Sequence, residues 1–128
     1  MTRITKMLSA NDCGVRSHQS GILIPKNPPH VLRFFPELNE GELNPRLKLF
    51  FKDVETDEML ELNFIHYNNK YFGKTRNEYR LTGISRFLKK HGASPGDLLH
   101  ITDRQGKYFL EIEKKRIGNK IKLTEGWQ

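Results

Sequence analysis

The chain has 128 residues, one cysteine and a formal net charge of +7, with 22 Lys and Arg against 15 Asp and Glu. That length suits one domain able to bury a core without disulfides, and the lone Cys13 excludes an internal bridge, so a reducing, cytoplasmic setting is expected. No apolar run is long enough to span a membrane, and the start, MTRITKMLSAND, lacks the apolar core of a signal peptide.

In chain order, RITKMLSA reads as a first strand, and NDCGVRSHQSG as a Gly-punctuated loop. GILIP is a short apolar strand stopped by Pro25. PPHVLRFFP predicts a short helix with Pro28 and Pro29 in its first turn, Pro36 as its stop, and Val31, Leu32, Phe34 and Phe35 buried. RLKLFFKD alternates basic and apolar residues, as a half-buried strand does. ETDE is a turn, and MLELNFIHY returns with Leu60, Leu62, Phe64 and His66 on one face. NNKYFGKTRNEYRLTG is polar, basic and extended in character. ISRFLKKHG predicts a second short helix, with Ile84, Phe87 and Leu88 inward and Gly92 ending it. DLLHITD and YFLEIEKK form a hairpin around RQGK, and RIGNKIKLTEGW a further strand pair around Gly118-Asn119. The pattern implies a mainly β chain, 1–128 as one domain: a pseudobarrel of about seven strands with two short peripheral helices.

Charge is unevenly spread. Residues 66–91 carry Lys70, Lys74, Arg76, Arg80, Arg86, Lys89 and Lys90 with a single acid, Glu78, whereas residues 36–61 hold eight acids and three bases. Such two-sidedness predicts one face built for a polyanion. Within GKTRNEYR, Lys74, Arg76, Glu78 and Arg80 recur at every second residue, so an extended backbone would aim all four the same way. Arg can donate a bidentate pair to guanine and Glu can accept from cytosine, while Lys and the second Arg suit phosphates. A lone acid weakens non-specific attraction to DNA, so Glu78 hints at base reading. Arg16, Ser17, His18 and Gln19 form a second polar group between Gly14 and Gly21; Gln can pair with adenine, Ser or His with bases or phosphate.

These segments resemble a known family. SANDCGVRSHQSGILIP, FPELNEGELNPRLKLFF and HYNNKYFGKTRNEYRLT are similar to the amino-terminal effector domain of EcoRII-like restriction endonucleases, over roughly residues 4–88. The most specific stretches are NDxG…HQxG…IP and FGKTRNExR. The resemblance implies a pseudobarrel like that of plant B-type transcription-factor domains, gripping the major groove with two arms. The arms would be Arg16–Gln19, with the family's DNA-binding histidine at His18, and Lys74–Arg80, including Asn77. Tyr79 and Leu23 depart from the expected lysine and tyrosine. In that family the domain binds CCWGG and controls a separate nuclease domain. The implied partners are therefore double-stranded DNA and, in a full-length enzyme, a nuclease domain; no catalytic residue, metal or cofactor is expected.

Two other functions compete. Asp103 with Glu113-x-Lys115 is a weak metal-dependent nuclease signal in so charged a chain. Tyr67, Tyr71 and Phe72 beside the basic stretch could stack on bases of RNA or single-stranded DNA. The five histidines, His18, His30, His66, His91 and His100, show no zinc-binding spacing.

Overall fold

A computed structural model describes residues 1–14, 21–115 and 127. Among the described residues seven strands form one sheet: β1 (Thr2–Met7), β2 (Ile22–Ile24), β3 (Arg46–Asp53), β4 (Met59–Tyr67), β5 (Glu78–Thr82), β6 (Leu98–Arg104) and β7 (Lys107–Glu113), in the order β1-β6-β7-β3-β4-β5-β2. Neighbours run antiparallel except for β3 and β7, which meet in a parallel seam at Phe51–Tyr108, Lys52–Phe109 and Asp53–Leu110. Two short helices, α1 (Pro29–Arg33) and α2 (Ser85–Lys90), pack against the sheet.

Alternation explains the core. Leu62 and Phe64 on β4, Phe51 on β3, Ile4 on β1, Ile22 and Ile24 on β2, Leu81 on β5 and Leu99 and Ile101 on β6 are all buried. Val31, Phe34 and Phe35 enter from α1, with Phe35 stacked on Phe64 at 4.7 Å; Ile84, Phe87 and Leu88 enter from α2. Burial of these side chains, at about 1.5–3 kcal/mol each, drives the closure. Trp127 joins the same core, bridges Lys6 on β1 and donates its indole N–H to the Leu23 carbonyl on β2 at 3.3 Å. One buried residue thus touches both outermost strands, through its backbone on β1 and its indole on β2, which curls the sheet toward a barrel. The strand pair anticipated around Gly118-Asn119 lies outside the described residues.

Buried polar groups hold the connections. Asp53 accepts the N–H groups of Glu55 and Thr56 in the β3–β4 turn and bonds the His91 ring at 2.6 Å. Asp97 accepts from the Ser94 N–H, the Lys115 N–H and the Lys114 ammonium, all within 2.9 Å. His100 sits between Thr5 and Glu113 on the flanking strands. No described helix is long and apolar enough to cross a membrane.

Candidate nucleic-acid interface

The stretch read as uniformly extended divides in two. A 3-10 turn covers Asn69–Phe72, Gly73 follows in the left-handed region at φ 86°, and strand geometry resumes only at Glu78. The cause is Asn69. Its carbonyl accepts the Lys74 N–H at 2.9 Å and its side-chain oxygen the Arg76 N–H at 2.6 Å, while the Lys70 N–H donates to the Arg76 carbonyl. These local bonds outcompete extension. Below the turn, Asn68 is fully buried: it accepts the Asn44 N–H and donates to the Glu42 carbonyl, both at 2.7 Å. The β4–β5 connection is therefore a closed arm with a polar root. Lys74 is exposed on its bend, apart from the strand positions.

Arg76, Glu78 and Arg80 do come together. Glu78 Oε1 accepts from Arg76 Nε at 2.7 Å and from Arg80 Nε at 3.0 Å. The Arg76 guanidinium also lies 3.8 Å over the Tyr67 ring, so a cation–π contact and an ion pair fix it from two directions. Partial burial would raise the Glu78 carboxyl, but hydrogen bonds from Arg80 and Arg76, together with their charges, outweigh it and hold the group below its ordinary range. Accessibility separates the three: side-chain exposure is 42% for Arg76, 28% for Glu78 and 12% for Arg80. Arg80 stands opposite Ile65 in register, and Ile65 is buried although it lies on the opposite pleat face from Phe64 and His66. The stem of Arg80 thus covers apolar surface while its head orients Glu78.

The intervening residues point the other way. The Asn77 side-chain oxygen meets His66 Nε2 at 2.7 Å, and its amide reaches the Tyr71 hydroxyl at 3.5 Å. His66 is buried, bonds Glu40 through Nδ1, and stacks on Tyr79 with centroids 4.0 Å apart. Tyr79 therefore belongs to the packed side of β5, which is why an aromatic can stand there. Asn77 holds the register of the arm from beneath, with its side chain away from the face that carries Arg76 and Glu78.

Arg16, Ser17, His18 and Gln19 lie outside the described residues. The ends of that segment are placed. Gly21 adopts φ 77° against β5, where an added Cβ would meet the Leu81 carbonyl at 2.0 Å. Its own carbonyl accepts from Arg80 Nη1 at 3.5 Å, so the segment re-enters the sheet beside the root of the Arg76–Arg80 group. Leu23 is 42% exposed, across from Arg80.

The nuclease constellation is not assembled. Asp103 faces Tyr108 and Glu113 faces Leu98, at opposite ends of the β6–β7 ladder and roughly 17 Å apart at strand rise. Asp103 accepts the Gly106 N–H, Glu113 bonds His100, and the Lys115 N–H serves Asp97. Among the described residues no three His, Cys, Asp or Glu side chains cluster as metal ligands. Burial, then Asp12 and Asp97, push the Cys13 thiol up, away from nucleophilic chemistry. Sequence reasoning missed the positioning residues Asn68, Asn69 and Glu40. For Asn69 a signal existed: Asn bonds nearby backbone through its side chain and Gly takes positive φ, so Asn69 and Gly73 are both turn-favouring residues.

Residues 1–99 match the family described as restriction endonuclease EcoRII, N-terminal. The type II restriction enzyme EcoRII of Escherichia coli is 44% identical over 80 residues, which cover 60% of this chain and 19% of that enzyme. The chain thus spans about a fifth of the length of this relative. Among solved structures, the Arabidopsis FUS3–DNA complex superposes with TM-score 0.65 at 17% identity, covering 88% of this chain and 96% of that one. The B3 domain of UbaLAI restriction endonuclease with cognate DNA gives 0.65 at 17%, covering 98% and 84%. The N-terminal domain of Helicobacter pylori LlaJI.R1 gives 0.57 at 12%, covering 100% and 96%. The fold is the pseudobarrel of these domains.

Proposed function

Because the chain belongs to the family of restriction endonuclease EcoRII N-terminal domains, we propose that it is a recognition module that binds double-stranded DNA sequence-specifically and carries no catalytic site. Two arms enter the major groove, one at Arg16–Gln19 and one at Lys74–Arg80, and the target is CCWGG-like. Where a nuclease domain accompanies the module, binding controls it. The observation that carries this reading is the Arg76–Glu78 pair, an exposed guanidinium and a half-buried carboxylate locked to each other with the help of Tyr67 and Arg80. A preorganised guanidinium suits the two acceptors of guanine, and the adjacent carboxylate suits a cytosine amino group. Arg80 supports Glu78, Lys74 takes a phosphate, and Asn77 sets the register. The Arabidopsis FUS3 and UbaLAI domains, both seen in complex with DNA, share the fold and support the reading.

Exposed Tyr71 and Phe72 beside the same arm favour a second reading, stacking on unpaired bases. One titration separates them. Fluorescence anisotropy should show a CCWGG duplex bound more tightly than a random duplex, single-stranded DNA or RNA. With six or more phosphates engaged, affinity should fall about 10³-fold between roughly 50 and 200 mM salt. Preference for single strands, or a flat salt response, overturns the duplex reading.

A further inference from the structure

The basic side of α2 is a charged surface that neither arm accounts for. Phe87 and Leu88 face the core, while Arg86, Lys89 and Lys90 lie outside at the i, i+3, i+4 spacing of one helical face. The helix contains no acid. Lys90 is held by Glu58 at 2.7 Å, whereas Arg86 and Lys89 have no ion-pair partner among the described residues.

Two clefts lead from this helix past Gly14 and Gly21 to Arg80. One is lined by Ser85 and Lys89 of α2 together with Asn11, Gly14 and Gly21. The next runs from Asn11 and Gly21 to Leu23 and Arg80. They share Asn11, Asp12 and Gly21, so the surface is continuous from Arg80, past both ends of segment 15–20, to Lys89. Asp12, the acid along this path, is 8% exposed and already binds the Lys6 ammonium and the Ser9 N–H. Among the described residues lining the two clefts no other acid is present.

We propose that Arg86 and Lys89 bind backbone phosphates of the same duplex, beyond the bases read by the arms and on the side of segment 15–20. The inference rests on the duplex reading above. A DNA strand presents a phosphate about every 3.4 Å, so a backbone running past Gly21 continues along α2 within reach of two long cationic side chains. Such contacts carry no sequence information; they lengthen the footprint and steepen the salt dependence.

The test uses the full chain carrying Arg86→Gln and Lys89→Gln together, with thermal unfolding to verify the fold. The slope of log affinity against log salt should become shallower by about two, since each phosphate contact contributes roughly 0.9. Cognate and random duplexes should weaken by the same factor. Lys90→Gln, whose ammonium Glu58 already holds, should leave the slope unchanged. Trimming the flanking duplex from each end in turn should bring the wild-type slope down to that of the double variant at one end, with no further effect on the variant. An unchanged slope in the double variant, while Arg76→Ala still weakens cognate binding, overturns the α2 contact alone. Absence of salt-dependent duplex binding by the wild type removes the duplex reading and this proposal with it.

Discussion

The connections β4–β5 and β6–β7 both join antiparallel partners, yet they are built oppositely. Between β6 and β7 the chain turns on Gln105 and Gly106, both at positive φ (52° and 83°), the geometry of a tight hairpin that sets register with few residues. Between β4 and β5 it runs from Asn68 through Asn77, with a 3-10 turn, three backbone groups gathered on Asn69 and a buried asparagine at the root. Apart from Asn77, the longer connection goes beyond what register needs. Its extra hydrogen bonds hold a display of charged side chains still, and stillness lowers the entropy lost when those side chains meet a ligand.

The contrast is broken most forcefully at the arm's root. Asn68→Ala removes the fully buried side chain that pairs the Asn44 N–H and the Glu42 carbonyl and should destabilise by about 1–3 kcal/mol in urea unfolding. Asp103→Ala in the hairpin removes one exposed bond to the Gly106 N–H and should cost under about 1 kcal/mol. Equal costs would mean that the arm is not the more deeply anchored of the two.

Arg76→Ala comes next. On a cognate duplex it should lose about 1–3 kcal/mol, with much of that loss absent on random DNA. Lys74→Ala should weaken both duplexes alike, and Lys107→Ala beside the hairpin turn should change neither. If Arg76 and Lys74 variants behave identically on both duplexes, their division of roles is wrong.

Gly73 and Gly106 make a matched pair: φ is 86° and 83°, and an added Cβ meets nothing within 4 Å at either. Alanine at each should therefore cost a similar 1–2 kcal/mol or so of backbone strain. Only Gly73→Ala should also weaken DNA binding, measured by anisotropy on variants compared well below their melting temperatures. Parallel losses of binding at both sites would show that stability alone governs the interface.

The smallest expected effect is the most diagnostic. Glu78→Gln keeps the shape but removes the charge, so random-duplex affinity should hold or rise while cognate affinity falls, erasing about 1 kcal/mol or more of discrimination. The carboxyl's depressed pKa fixes the pH window. Its charge is complete above the ordinary value of 4.5 and is lost only as pH falls through the lower folded value. The difference between wild type and variant should therefore stay constant from about pH 8 to pH 5. An unchanged specificity ratio would remove base reading from Glu78.

Much of this arrangement was legible in the residues. Strands β3 and β4 announce themselves by alternation, and Pro29 and Gly92 bracket the helical segments at their expected ends. His66 falls on the inward face with Leu62 and Phe64, as its period-two position implies. The arm was legible only in composition. Period two places Arg76, Glu78 and Arg80 together, but it extends wrongly to Lys74 because Asn69 captures the backbone in between. That Arg80 is covered while Arg76 is open depends on Ile65 across the ladder, a neighbour that local spacing cannot reveal. The same holds for Glu40, which reaches His66 from a distant loop.

The parallel seam between β3 and β7 has a consequence in time. Strands β3, β4, β5 and β2 can assemble from the first two-thirds of the chain, but Thr2 waits for Asp103 and Phe51 waits for Tyr108. Partners so remote in sequence are slow to meet, because loop closure must precede the contacts that reward it. A nascent chain would carry its charged arm on a half-built sheet before the remaining strands arrive to seal it. Pulse-labelled hydrogen exchange during refolding should protect β4 and β5 ahead of β1; simultaneous protection would mean that the two halves condense as one.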